Sequence, residues 1–479
     1  LDGLLKGMDL GVEPHDGQAV TADDFRDVMA DANDTDLSFL QRWYEQAGTP
    51  TVNAVGVYDA VEQCYILTLS QSCPATSESD EKKPFPIPVR MGLLDSEGQS
   101  MTLRLVGEAD NGETERVLLL TEQEQSFTFA DVRSEPVPSL LRGFSAPVHL
   151  NFPWKEQQLA FLMAHDTDSF NRWEAGQTLA TMVLLGLVED RAAGRELSMN
   201  AYLLDAFRIL LEDKDTDPAL LAEALSLPDS AYLGEKMDII DVDGIHAARE
   251  FVKTELAREL KPLWQAVYAA NQTPGDYSVD ADSMGKRRLK NVALAYLVQL
   301  EDEDAATAAM AQFESASNMT DSMGAMRCLA HSDLPQRQVA LNAFAERWAE
   351  NTLVMDKWFV AQATAPRANV LDDVKALMEH PLFSMKNPNK VRAVIGAFAQ
   401  ANPVGFHAAD GSGYEFVASK IIELDGLNPQ IASRLSKVFT RWKRYDANRQ
   451  TLMKAVLERI KVHEGLSRDV FEIVDRSLA

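Results

Sequence analysis

The stretch Cys64-Tyr-Ile-Leu-Thr-Leu69 decides how the first third of this chain reads. Aromatic and branched side chains alternate there with a period of two, which suits a half-buried strand and not a helix. Working outward, Ile87–Leu94, Met101–Val106, Val117–Leu120 and Ser126–Phe129 read as further short strands. Asp95-Ser-Glu-Gly98 and Asn111-Gly112 supply turn chemistry between them. Such spacing predicts an immunoglobulin-like β-sandwich over residues 50–150. Pro84, Pro86, Pro88, Pro136 and Pro138 are expected at edges or connections, because proline cannot donate to a central ladder.

Beyond the strands the pattern changes. Residues 151–479 read as helices of ten to twenty residues joined by short loops. Three of them open on Asn-Pro, at Asn387-Pro388, Asn402-Pro403 and Asn428-Pro429. Asparagine caps the first free amides, and proline at the first helical position loses no bond that would have formed. Similar aromatic-centred segments recur, such as Phe170-Asn-Arg-Trp173 and Asp356-Lys-Trp-Phe359. So long a helical run exceeds one compact bundle, so the expectation is a large all-α superhelical domain of stacked pairs, HEAT- or armadillo-like.

Before the strands, residues 1–49 read as helices. Thr21 and Asp24 make a capping signal, followed by Phe25, Val28, Met29 and Ala32 at helical spacing. A second helix carries Leu37, Leu40, Trp43 and Tyr44 and stops at Gly48-Thr-Pro50. Two or three helices bury little core alone, so this zone is expected to lean on something else, most simply a domain outside the sequence. The chain opens on Leu1 within a helical pattern, which suggests that something upstream is missing.

With 479 residues the chain fits two to four domains. Its 46% hydrophobic and 25% charged residues are those of a globular protein. A formal net charge of −27 repels phosphate backbones and argues against nucleic acid or an anionic membrane as partner. The longest apolar run, near Leu179–Val188, falls short of the about 20 residues that span a bilayer. Cys64, Cys73 and Cys328 form no disulfide framework or C-x-x-C pair and read as reduced thiols of a cytoplasmic protein.

Motifs for independent chemistry are few. No two of the eight histidines (His15, His149, His165, His246, His331, His380, His407, His463) are three to five residues apart, so each reads as a surface or helix-end residue. His463-Glu464 begins like H-E-x-x-H, but Ser467 stands where the second imidazole belongs. No nucleophile elbow, P-loop or dinucleotide fingerprint is present, and Gly411-Ser-Gly413 reads as a helix-to-helix turn. The acidic run Glu301-Asp-Glu-Asp304 lacks calcium-loop spacing and reads as a helix start. No catalytic and no metal-binding residue is assigned.

Charge is uneven, however. Residues 1–150 are strongly acidic, whereas residues 381–461 hold 13 Lys+Arg against 6 Asp+Glu. After Asn428, the residues Gln430, Arg434, Lys437 and Arg441 form one helical stripe, beside the apolar stripe Ile431, Leu435, Val438 and Trp442. Such a cationic wall suits carboxylates of a peptide or acidic partner, since guanidinium binds a carboxylate through two bonds. Arg392 is expected near the same space.

Longer strings then carry a resemblance. They include Gly7-Met-Asp-Leu10, His15-Asp-Gly-Gln-Ala-Val-Thr21, Asp23-Asp-Phe25, Arg42-Trp-Tyr44 and Gly48-Thr-Pro50. They continue through Phe144-Ser-Ala-Pro-Val148, Asn318-Met-Thr-Asp321, Leu353-Val-Met-Asp-Lys-Trp-Phe359 and Gln362-Ala-Thr364. Ile395-Gly-Ala-Phe398, the string from Phe406 to Tyr414, Asn428 to Leu435, and Lys443-Arg-Tyr-Asp-Ala447 complete the set. In order and over the whole chain, these resemble the bacterial aminopeptidase N family, zinc metallopeptidases that remove N-terminal residues from peptides.

The resemblance implies a C-terminal portion: residues 1–49 as the last helices of a thermolysin-like catalytic domain, 50–150 as the β-sandwich, and 151–479 as the superhelix. The zinc ligands and general base of the family have no counterpart in this sequence, so the chain alone is expected to be inactive, with zinc in the full-length enzyme. The helical domain of such enzymes caps the active site, gates peptide access and lines the cavity. The implied wall residues are Arg392, Gln430 and Arg434, and the implied partners are peptides and the N-terminal and catalytic domains of the same enzyme. The alternative is a stand-alone sandwich-plus-solenoid module that binds protein partners without catalysis.

Overall fold

The computed structural model describes residues 2–15, 17–77, 79 and 81–479, with the side chains of 2 and 10–15 excepted. Leu1, where a helix was expected to open, Asp16 and the side chain of His15 therefore lie outside the described residues. The chain separates into two compact units that divide at Gly176/Gln177.

The first unit begins with a pair of helices, Asp2–His15 and Ala22–Asn33. Thr21 caps the second as its sequence predicts: the Asp24 amide donates to Thr21 Oγ1 at 3.2 Å and the Thr21 amide donates to Asp24 Oδ2 at 2.8 Å. The next expected helix is shorter, a 3₁₀ turn Ser38–Leu40 followed by Gln41–Glu45. Its end packs on the β-domain within this chain. Trp43 Nε1 donates to the Pro86 carbonyl at 2.9 Å, and its ring sits 4.8 Å from that of Phe85.

Seven strands follow: β1 Thr51–Asp59, β2 Cys64–Ser72, β3 Ile87–Leu94, β4 Arg116–Leu120, β5 Glu124–Phe129, β6 Val137–Leu140 and β7 His149–Asn151. They form two sheets, in the orders β5-β2-β1-β7 and β4-β3-β6. Alternate residues of β2 (Tyr65, Leu67, Leu69) and β3 (Ile87, Val89, Met91, Leu93) meet in one core with Val52, Leu118, Leu120 and Phe129. Gln71 is buried in register with the apolar positions of β2. Its amide nitrogen donates to the Phe85 and Glu122 carbonyls and its oxygen accepts from the Phe85 amide, so the pattern survives a polar residue.

Met101–Val106 is not a strand. The Met101 amide bonds to Leu93 of one sheet, whereas the Val106 amide bonds to Thr128 of the other. The backbone crosses between sheets here and divides its bonds. Pro88 and Pro138 lie inside strands, but at free borders: β6 pairs with β3 only from Met91 onward, and β6 is itself an edge. At Gly98, φ is +82° and an added Cβ would fall 2.8 Å from His165 Cβ, so the Asp95 turn requires glycine.

After β6 the backbone turns through left-handed Leu141, Gly143 and Phe144. Buried Arg142 holds this turn, reaching Glu115 and Asp166 at 3.2 Å each. Asn171 Nδ2 donates to Ser139 Oγ at 2.8 Å and to the Leu140 carbonyl at 2.9 Å. The helix Glu156–His165 and the first turns of Ser169–Ala192 thus belong to the first unit.

The second unit is helical. All three Asn-Pro sites start helices, with Asn387, Asn402 and Asn428 accepting from the amides of Asn389, Gly405 and Ile431. Asp302 caps Glu303–Ser315, as the acidic run suggested. The glycine-rich turn precedes Ser412–Asp425 with Gly411 left-handed. Segments about two hundred residues apart meet: the Ile240 amide donates to the Arg444 carbonyl at 2.7 Å, and Arg449 Nη2 reaches Asp243 at 2.8 Å. Among the described residues, no helix is long and apolar enough to cross a membrane.

Candidate functional site

Lys390 fixes the first element of the site. Its side chain is 2% exposed, pairs with Asp356 and donates to the Thr352 carbonyl at 2.6 Å. The helix Pro388–Val391 is thereby anchored to Thr352–Ala363, and it continues as a π-helical turn, Arg392–Gly396, and then as Ala397–Ala401. Arg392 stands at the start of the π turn, exposed, with its Nη1 3.2 Å from Asn389 Oδ1.

The second element is Pro429–Ser436, which holds Arg434 exposed on one face and Ala432 and Leu435 buried on the other. Arg392 and Arg434 line one recess of about 310 Å³, with Ala397, Gln400, Ile431 and Leu435 among its walls. Among the described residues neither guanidinium lies within ion-pair distance of a carboxylate. Two cations over an apolar floor suit a ligand that carries a carboxylate and an apolar side chain.

Gln430 is exposed one turn before Arg434 but is not among the residues lining the recess. The expected stripe is also shorter than its spacing suggests. The α-helix ends at Ser436, and Lys437–Phe439 is a 3₁₀ turn. Arg441 is directed elsewhere and pairs with Glu235 at 2.5 Å. The cause is Phe439, fully buried against the rings of Phe406 (5.6 Å) and Tyr414 (6.1 Å), which pulls the backbone off the helical path. Gln400 was missed as a wall residue, because the π turn shifts the face on which later residues fall.

Two of the histidines serve packing. His407 is buried, shares a 2.8 Å hydrogen bond through Nδ1 with Tyr414, and stacks on Tyr445. Burial pushes its pKa down to about 3. His331 lies 3.1 Å from the Ala361 carbonyl and burial pushes it down to about 3 as well. Both sit at helix ends, but as interior residues. All three cysteines are free. Among the described residues, no group of three or more His, Cys, Asp or Glu could hold a metal ion, so the residues present do not fit zinc.

Residues 48–153 match the family described as a domain of unknown function, DUF3458, with an Ig-like fold, and residues 156–479 match DUF3458_C, described as ARM repeats. Aminopeptidase N of Escherichia coli (strain K12) is 44% identical over 479 residues, which is 100% of this chain and 54% of that protein. Aminopeptidase N of Haemophilus influenzae is 38% identical over 476 residues, 99% of this chain and 54% of its own length. The crystal structure of Legionella pneumophila aminopeptidase A in complex with aspartic acid superposes with a TM-score of 0.82 at 31% identity, over 100% of this chain and 54% of that one. The chain spans about half the length of the curated relatives it matches. Its two domain matches and its end-to-end similarity agree: the chain belongs to the DUF3458_C family, carries a DUF3458 domain before it, and is similar along its whole length to part of the aminopeptidases N.

Proposed function

We propose that this chain is the C-terminal part of a zinc aminopeptidase that removes N-terminal residues from peptides in the cytoplasm. In this reading, residues 1–49 close the catalytic domain, 50–150 form the spacer sandwich, and 151–479 cap the active site, gate peptide access and line the substrate cavity. Arg392 and Arg434 draw the peptide's carboxylates, with Gln430 beside them. Zinc and the general base are supplied by residues outside this chain, in the N-terminal and catalytic domains that are its partners. The observation that carries the reading is the pairing of Arg392 and Arg434 on one recess, with no carboxylate within ion-pair distance among the described residues, in a chain of net charge −27.

An aminoacyl chromogenic substrate tests the division of labour. The chain alone with added zinc is expected to give no turnover, and turnover above background would refute its silence. In the full-length enzyme, truncating Arg434 is expected to raise KM for short peptides and leave kcat nearly intact. That pattern marks lost ground-state binding, and unchanged kinetics would remove Arg434 from the cavity wall.

A further inference from the structure

We propose that residues 234–243 and 441–449 form an ionic latch, which opens as a local unit and releases the segment 236–240 while the rest of the helical unit stays folded. The two sides lie about two hundred residues apart in the chain. Arg444 is the hub between them. Its Nε donates to the Asp238 carbonyl and its Nη2 to the Gly234 carbonyl, both at 3.2 Å, and Nη2 donates to the Met237 carbonyl as well. Its own carbonyl accepts from the Ile240 amide at 2.7 Å. These acceptors lie at and just beyond the end of the short helix Ser230–Glu235, where a cation also suits the helix dipole. Glu235 reaches Arg441 at 2.5 Å and Arg444 at 3.8 Å, and Arg449 reaches Asp243 at 2.8 Å on the far side.

The two sides are anchored unequally. Phe439 is fully buried, Trp442 Nε1 donates to the Ser477 carbonyl at 2.8 Å, and Gln450 Nε2 donates to the Tyr445 carbonyl at 2.7 Å. The arginine side is therefore tied down independently of the latch. On the other side Lys236, Asp238 and Ile239 are exposed and Met237 is half-buried. Ile240 is buried, with Gly234 of its own segment beside it. What holds this segment to the opposite side is Arg444. The flanking side chains are open to water, Glu235 by 53%, Arg441 by 43% and Arg444 by 35%. Ion pairs so exposed are weak and screened by salt, and segments held this way open at lower cost than the core. The latch also gives the uneven charge a structural use. Its arginines come from the basic stretch 381–461, and its carboxylates from residues 229–243, which hold five carboxylates and one lysine.

The latch does not depend on peptidase activity. Hydrogen exchange of the 479-residue chain, read by mass spectrometry, tests it at about 0.01 M and about 1 M sodium chloride, between which the screening length falls from about 30 to about 3 Å. Exchange over 236–240, the Ile240 amide included, is expected to rise several-fold at the higher salt, with Ala281–Val298 unchanged. Arg444→Met and Glu235→Gln should each produce such a rise at the lower salt. Should Arg444→Met fail to fold, Glu235→Gln decides alone, because that side chain is exposed. The proposal is overturned if salt leaves exchange over 236–240 unchanged, if both variants exchange as the parent does, or if the rise extends equally through Ala281–Val298, which would mark loosening of the whole unit.

Discussion

Asp356 and Lys390 form an ion pair of unequal burial, the ammonium's side chain being 2% exposed and the carboxylate's 20%. The pair joins the string Leu353–Phe359 to the helix that presents Arg392, and Trp358 Nε1 adds a 2.9 Å bond to the Leu341 carbonyl. Removing the two partners should therefore cost different amounts. Asp356→Ala strands a buried ammonium and is expected to cost about 3–5 kcal/mol. Lys390→Met removes the buried charge and leaves a carboxylate that water can reach, so it should cost clearly less. Urea denaturation of both variants checks the order, and an equal or reversed order would refute it.

The sandwich makes a second prediction. A Cβ at Gly56 would fall 1.8 Å from the Tyr65 hydroxyl, which is buried without a hydrogen-bond partner. Gly56→Ala is expected to destabilise by about 1–3 kcal/mol, as overpacking does. Tyr65→Phe should be neutral or stabilising, because it deletes an unsatisfied polar atom. In the double variant part of the Gly56→Ala cost should remain, because Cζ of the ring would still lie 2.6 Å from the new Cβ, and a double-mutant cycle reads the share due to the hydroxyl directly.

Acid stability gives a third. His407 has its folded pKa lowered to about 3 by burial, against about 6.5 unfolded. Between those values the unfolded state binds a proton that the folded state refuses. The stability is complete above pH 6.5 and is lost as pH falls toward 3, by up to about 1.4 kcal/mol per pH unit for one such histidine. His407→Gln loses the bond to Tyr414 and should be less stable at pH 7. Its deficit should shrink by pH 4, measured by denaturant midpoints across the range, and a deficit that grows on acidification would contradict the assignment.

Local chemistry made most of the fold legible. An asparagine before a proline fixes a helix start through its own side chain, so Asn387, Asn402 and Asn428 could be read without tertiary information. The strand Thr51–Asp59 could not, because Val55 and Val57 face solvent and blur the alternation. Periodicity also ran past Ser436, where burial of Phe439 ends the helix and turns Arg441 toward Glu235. Of the candidate wall, Arg392 and Arg434 meet at one recess, but their meeting depends on a π turn and on bringing together residues 42 positions apart in the chain.

The recess makes the last prediction, for the full-length enzyme proposed above. If Arg392 and Arg434 hold a peptide's terminal carboxylate, their effect should depend on that charge. Arg434→Ala is expected to raise KM about tenfold or more for a tripeptide with a free carboxylate, equivalent to about 1.4 kcal/mol. For the same tripeptide as its C-terminal amide the variant and parent should agree within about twofold. Arg434→Lys keeps the charge but loses the two-bonded fork, so it should fall between the two. Arg392→Ala should act in the same direction, and the combined variant should cost less than the sum, since both guanidinium groups serve one ligand. Equal losses on acid and amide would mean that Arg434 supports the helix or the apolar floor and reads no charge.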